Sequence, residues 1–303
     1  MKILVTGSAG FIGHNVALFL RSQDFEVIAF DNLSRATAPA LKLLHDQNIP
    51  IIRGDVLCTS ALKKAMAGVD VAVHAAAYIS VEESIKKPGA YFRNNVAGTA
   101  SFAKACLDSN VKFAIYLSSA AVYGDPKSLP IKESHPTDPL SPYGLTKLMG
   151  EEVLKFYSKL GLEYTTLRLF NVYGIGQSSA YAGVITSFMN RVAEGKPPII
   201  YGDGQQTRDF IHVKDVAEAI RLVVERRPSN ETFNIASGKP TKIAELAWLI
   251  IKLNGSGLKP KYTKPRPGDI RHSIADISKA QRLLGFKPKW DLERGLSDLV
   301  RKI

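Results

Sequence analysis

From Lys2 to Ser118, short apolar and β-branched runs alternate with stretches whose apolar positions recur every three or four residues. Lys2 to Thr6, Glu26 to Asp31, Ile49 to Arg53, Val69 to His74 and Val111 to Ser118 read as strands. Between them, Phe11 to Gln23, a segment opened by Thr59, and a long stretch from about Pro88 to Ser109 read as helices. Apolar strands separated by helical periods predict a parallel sheet covered on both faces, hence an α/β fold. Three segments break the rhythm: Gly124 to Pro142, which carries five prolines, Asn171 to Ala182, and Asn254 to His272. Irregular stretches of that length inside a compact chain are commonly functional. Helical periods return from about Val184 to Glu194, Val213 to Glu225, Ile243 to Leu253 and Leu292 to Ile303.

Directly after the first strand, and opening the first helix, stands Gly7-Ser8-Ala9-Gly10-Phe11-Ile12-Gly13. Glycines at this junction permit a tight turn, let phosphate oxygens reach backbone N–H groups and allow helix and sheet to pack closely. Asp31 ends the second strand, where a carboxylate accepts hydrogen bonds from ribose hydroxyls and repels a 2′-phosphate. The expectation is NAD on a Rossmann-type doubly wound parallel sheet, although Arg35, four residues on, leaves NADP open. Asp55, after the third strand, is placed either to meet the adenine amino group or as a solvated loop acid. The expected division is a dinucleotide-binding domain over 1–170, with a return segment near 210–236, and a smaller α/β C-terminal substrate domain over 171–303.

Tyr143 and Lys147 stand four residues apart in a segment that Ser141 can cap and Pro142 can open, so a helix would put both on one face. A second such pair, Tyr123 and Lys127, is interrupted by Gly124 and Pro126, which resist helix. A phenol titrates near pH ~10, so acting as a base at neutrality requires a shift of roughly 4 kcal/mol. An ammonium about 5 Å away at an effective dielectric near 20 supplies on the order of 3 kcal/mol. Lys147 beside Tyr143, with an oxidised nicotinamide ring adding to it, therefore makes the phenol a proton acceptor for a hydroxyl. Ser119, just past the fifth strand, is placed to bridge that hydroxyl and the phenol.

Composition narrows the partners. Lys and Arg number 40 against 28 Asp and Glu, a net charge of +12, but the charge is spread along the whole chain. Nucleic-acid binders gather it on one element with a recognisable module, so no nucleic-acid partner is expected and anionic substrates suit the surface better. Two cysteines, Cys58 and Cys106, exclude a disulfide scaffold and point to a reducing, cytoplasmic setting. No apolar run reaches the ~18 residues that cross a bilayer, so no membrane partner is expected. The six histidines lack zinc-ligand spacing, and no metal is expected.

Taken together, the glycine motif, Asp31-Asn32-Leu33, Leu117-Ser118-Ser119-Ala120-Ala121-Val122-Tyr123-Gly124, Tyr143 with Lys147, Arg168-Leu169-Phe170-Asn171, Arg208-Asp209-Phe210-Ile211-His212-Val213 and Arg266-Pro267-Gly268-Asp269 resemble the extended short-chain dehydrogenase/reductases. The nearest resemblance is to members that epimerise UDP-hexoses. It implies NAD-dependent inversion at C4, UDP-galactose to UDP-glucose, through a transient 4-keto sugar, with Tyr143 as proton acceptor and Ser119 and Lys147 in support. It places Phe11, Ile12, Asn32, Val56, Ala75, Ala76, Asn95 and Phe170 beside NAD. It also places Asn171, Val184, Tyr201, Arg208, Arg266, Asp269 and Ser273 around the sugar nucleotide, with Tyr201 on uracil and both arginines on the diphosphate. Relatives that eliminate water carry an acidic pair after the serine, where this chain has Ala120 and Ala121. Serine at 273, where some hexose-specific relatives have tyrosine, leaves room for an N-acetyl group. The chain departs from some relatives at Ile79 and Ser80, where they carry a lysine near the nicotinamide. A homodimer through helices near 90–107 and 145–156 is implied as well. Other members acting on UDP-glucuronate, UDP-N-acetylhexosamines or dTDP-sugars, and a non-catalytic NAD-binding sensor, remain as alternatives; the intact Ser119, Tyr143 and Lys147 weigh against the sensor.

Overall fold

A computed structural model describes residues 1–177, 183–266, 268 and 270–301. Seven parallel strands form the central sheet, in the spatial order Glu231–Ile235, Glu163–Leu169, Phe113–Ser119, Val71–His74, Lys2–Thr6, Glu26–Asp31, Ile51–Arg53. The order reverses between Lys2–Thr6 and Val71–His74, and ligands of such sheets bind outside the carboxyl ends of the strands at that reversal. Ile3 and Val5 face one core with Val16, Leu20, Ile220 and Val223, while Leu4 faces the other with Phe102, Cys106 and Leu154. Burial on both faces is why these strands read as unbroken apolar runs rather than as an alternation.

The hydrophobic pattern does not reveal two of the seven strands. Glu163–Leu169 and Glu231–Ile235 bury Thr165, Thr166, Arg168 and Asn234, which look like surface residues in the sequence. Each of the longer side chains is paired inside the protein. The Arg168 guanidinium donates to both Glu151 carboxylate oxygens, at 3.0 and 2.7 Å, and to the Glu133 carbonyl at 3.1 Å. Asn234 accepts from the Tyr123 hydroxyl at 2.6 Å and donates to the Ile131 carbonyl at 2.9 Å. These bonds fasten the proline-rich stretch expected to be irregular against the sheet.

The helix expected over Pro88 to Ser109 is in three parts: Pro88–Tyr91, a π-helical turn Phe92–Ala97, and Gly98–Asp108. Such single π turns gather at functional sites. Here Asn95 is buried on the π turn and its amide is fully used. It donates to the Tyr78 carbonyl and the Thr146 hydroxyl, each at 3.0 Å, and accepts from the Tyr78 N–H at 2.8 Å. One residue thereby ties the loop after Val71–His74 to the helix that carries Tyr143.

Beyond the large sheet, Asn171–Tyr173, Thr207–His212 and Pro240–Lys242 form a three-stranded sheet, and Ile199–Tyr201 pairs with Lys261–Thr263. Asn171–Tyr173 thus lies in a strand, where an irregular segment was expected. Helices Val184–Ala193 and Ile243–Leu253 close a separate core through Ile185, Phe188, Met189, Leu246 and Ile250. Among the described residues no helix is long and apolar enough to cross a membrane.

His74 is buried at the end of its strand, between the Thr6 and Thr99 hydroxyls at 2.8 and 3.1 Å, and stacked on Phe102. Burial first, and the Lys147 charge second, hold its pKa near about 3 instead of the ordinary 6.5. A group depressed in the folded state stabilises fully above its unfolded pKa and progressively less as pH falls toward the folded value. Stability is therefore expected to drop by about 2 kcal/mol between pH ~7 and pH ~5 from this group. Urea titrations at the two pH values check this, and a His74→Gln variant is expected to lack that increment.

Candidate active site

At the carboxyl end of Lys2–Thr6, Gly7 takes φ +65° and the chain turns into helix Phe11–Arg21. A side chain at Gly7 would meet the Ala76 backbone at 2.6 Å, and one at Gly13 would meet the Gly7 carbonyl at 2.0 Å. The helix has no side-chain cap at Gly10, so its leading N–H groups face the cleft, an arrangement that receives phosphate. The cradle fits a dinucleotide: any Cβ at Gly7 or Gly13 would obstruct it. Gly7→Ala forces an L side chain into left-handed backbone, which costs about 1–3 kcal/mol. The loop relieves that strain by displacing its N–H groups, so NAD binding is expected to weaken by up to roughly 150-fold, read by calorimetric titration.

Asp31 acts as a brace at the loop, accepting from the Ala9 N–H at 2.9 Å and the Leu33 N–H at 2.7 Å. Asn32 donates to Asp55 at 3.0 Å, so these two expected cofactor residues are joined to one another. The cleft is walled by Gly7, Gly10, Phe11, Ile12, Gly13, Asp31, Asn32, Val56, Ala75 and Ala76, all anticipated from sequence. It is also walled by Asn94, Gly176 and Gln177, which were not. Asn94 lines the cleft while its neighbour Asn95 is spent on the contacts above. Gly176 had one signal that sequence cannot display: a Cβ there would meet the His14 ring at 2.5 Å, because Asn15 holds the Ile175 carbonyl at 3.0 Å. Phe170 is buried against Tyr123 in a neighbouring apolar cluster.

Ser141 caps helix Pro142–Ser158, accepting from the Gly144 N–H at 3.1 Å, and so fixes Tyr143 and Lys147 in its first two turns. Ser119 ends strand Phe113–Ser119 and accepts from the Ala121 N–H at 3.1 Å. Lys147 is buried, donates to the Leu117 carbonyl at 2.7 Å and lies over the Tyr116 ring. Burial pulls the Lys147 ammonium down to about 7, with Glu151, one turn on, pulling the other way. Burial pushes the Tyr143 phenol up, and a hydrogen bond from Ser119 lowers it. Desolvation therefore opposes the charge effect expected from the sequence, and the Ser119 bond is what favours the phenolate here. Tyr123 is occupied by Asn234, so the rival Tyr–Lys pair is a packing feature.

On the other side, the Arg266 guanidinium stacks over the Tyr201 ring at 3.9 Å, joining the two residues expected at diphosphate and uracil. Arg208 lies on Thr207–His212, and the Ser273 N–H donates to the Thr207 carbonyl at 3.2 Å, which puts Ser273 beside that strand. Asn171 begins a strand of the same sheet and is exposed, while Val184 begins a helix behind Gly183. Asp269 lies outside the described residues. Asp209 is buried and accepts from Ser237, Gly238 and Ala275 N–H groups at 2.8, 3.0 and 3.2 Å. It staples the Ser237–Gly238 turn and the segment carrying Ser273 to the strand that bears Arg208, a role the sequence does not announce. Among the described residues no group of three or more His, Cys, Asp or Glu is placed to hold a metal ion.

The sequence profile of the NAD dependent epimerase/dehydratase family matches residues 3–236. A UDP-glucose 4-epimerase from Halalkalibacterium halodurans is 36% identical over 310 residues, covering 96% of this chain and 91% of its own. The crystal structure of a UDP-glucose 4-epimerase from Thermotoga maritima with UDP-glucose superposes with TM-score 0.94 at 35% identity, over 99% of this chain and 98% of that one. A UDP-N-acetylglucosamine 4-epimerase from Methanobrevibacter ruminantium, in complex with UDP-N-acetylmuramic acid, superposes with TM-score 0.93 at 39% identity, over 99% and 97%. With the glycine cradle, the Asp31 brace and Ser119 all at the carboxyl ends of the sheet's strands, and Tyr143 and Lys147 on the helix beside Ser119, the chain is a member of the NAD dependent epimerase/dehydratase family: an enzyme, by its relatives an isomerase, whose cofactor is NAD.

Proposed function

We propose that the protein is a UDP-sugar 4-epimerase whose substrates include the pair UDP-galactose and UDP-glucose. The observation that carries this reading is Ser119 set against the Tyr143 phenol, with Lys147 one helical turn on and bonded to the Leu117 carbonyl of the strand that Ser119 ends; Ala120 and Ala121, which follow, have no acid or base for elimination. Gly7, Gly10, Gly13 and Asp31 would hold NAD, which when bound would supply a hydride acceptor and a positive charge. Tyr143 removes the proton of the sugar 4-OH and returns it from the same oxygen. Ser119 donates to the phenol and favours its deprotonated form. Lys147, fixed by the Leu117 carbonyl, adds charge whenever it is protonated. Tyr201 receives the uracil, and Arg208 and Arg266 hold the diphosphate, where planar guanidinium donors suit phosphate oxygens.

The half-buried serine at 273 supports a second class of substrate, UDP-N-acetylhexosamines, and the 39% identical relative named for that chemistry agrees with it. Incubation with UDP-galactose and, separately, with UDP-N-acetylgalactosamine, each with NAD, tests both readings by chromatography. UDP-glucose from the first supports the epimerase, and turnover of neither overturns it. Turnover of the first alone removes the N-acetyl reading.

A homodimer is part of the proposal. Leu145, Met149 and Phe156 are 38%, 38% and 58% exposed on one helix, an apolar stripe. Beside it Val96, Ala100, Val153 and Tyr157 line a shallow groove. Such a stripe on two neighbouring helices suits a helix-to-helix contact with a second copy.

A further inference from the structure

Arg35 and Glu83 are 48 residues apart in sequence, yet the guanidinium donates to the carboxylate at 2.8 Å. They follow strands Glu26–Asp31 and Val71–His74, which lie on opposite sides of Lys2–Thr6. The ion pair therefore reaches across the carboxyl end of the first strand, where the glycine cradle sits. Both partners are held from other directions as well. The Arg35 guanidinium stacks on the Tyr78 ring at 3.9 Å, and Glu83 accepts from the Tyr91 hydroxyl at 3.0 Å. Tyr91 in turn accepts from the Ser80 N–H at 2.9 Å and packs edge-on against Tyr78. Tyr78 is anchored through both backbone groups to Asn95. Lys87 approaches the other Glu83 oxygen at 3.8 Å. Arg35, Tyr78 and Ile79 line the same cleft as Gly7 and Gly13.

We infer that the Arg35–Glu83–Tyr78 bridge is a cofactor clasp that retains NAD and turns Arg35 away from the 2′-phosphate of NADP. An arginine four residues past the ribose-binding acid is the side chain that would welcome that phosphate. Here one Arg35 nitrogen is taken by Glu83, which matches its charge, and the guanidinium plane rests on Tyr78, while Asp31 adds a carboxylate that repels a 2′-phosphate. The same contacts join the two loops that wall the cleft, so the dinucleotide leaves only when an ion pair, a stack and the Tyr91 hydrogen bond open together. Both side chains are about a quarter exposed, which leaves the pair partly shielded from solvent screening.

The test uses the full chain loaded with NAD and two variants of similar size. Glu83→Gln keeps Arg35 and removes its countercharge, while Arg35→Met removes the guanidinium itself. Release of NAD, followed by dilution into a trap for free dinucleotide, is expected to be about tenfold faster in both, the worth of one charge-assisted bond. NADP affinity is expected to rise about fivefold or more in Glu83→Gln and not in Arg35→Met. Thermal melts without cofactor separate clasp from scaffold and are expected to match wild type within a few degrees. NAD release within twofold of wild type in both variants overturns the clasp. No gain of NADP affinity in Glu83→Gln overturns the discriminating role of the pair.

Discussion

Tyr143→Phe is expected to fold, to keep NAD, and to turn over UDP-galactose about 10²-fold more slowly or worse, the usual worth of a positioned proton transfer. The substitution removes one hydroxyl from a half-buried ring whose helix is capped independently by Ser141 at 3.1 Å, so the scaffold has no reason to change. Tyr123→Phe is the matched control. It deletes a hydroxyl bonded to Asn234 at 2.6 Å inside the protein, so it lowers stability and leaves the chemistry in place. Single-turnover kinetics on both, with bound NAD quantified, separates the two roles. Wild-type turnover by Tyr143→Phe would place the proton acceptor elsewhere.

Glu151→Leu is expected to lower folding stability by about 3–5 kcal/mol, because it leaves the Arg168 charge buried without its carboxylate. The pair is bidentate, and its side chains are only 9% and 10% exposed. Ser118, whose hydroxyl donates to Glu151 at 2.5 Å, is orphaned as well. Urea unfolding reads the loss as a shift in midpoint at unchanged slope. Replacing both partners, Glu151→Leu with Arg168→Met, is expected to recover most of it, since no unpaired charge then remains. A loss below about 1 kcal/mol for the single variant would mean that water reaches Arg168.

The parts of this protein that sequence displays are those where one residue type answers one physical demand. The glycine cradle is legible because only glycine fits next to the Ala76 and Gly7 backbone. The helix bearing Tyr143 is legible because Ser141 and Pro142 mark its start. Strands Glu163–Leu169 and Glu231–Ile235 were hidden because the buried Arg168 and Asn234 are satisfied by partners 17 to 111 positions away. The bracing roles of Asp209 and Asn95, the latter expected beside NAD, were hidden for the same reason: they tie segments that only the fold brings together. At Tyr143 spacing gives the neighbouring charge, but the desolvation that acts against it depends on burial, which spacing does not reveal.

The central claim, inversion at C4 by way of the C4 hydrogen, is tested most directly with UDP-galactose deuterated at C4. The account predicts UDP-glucose that retains deuterium at C4, with none lost to water. Loss of the label to solvent, or no UDP-glucose with NAD present, would contradict it.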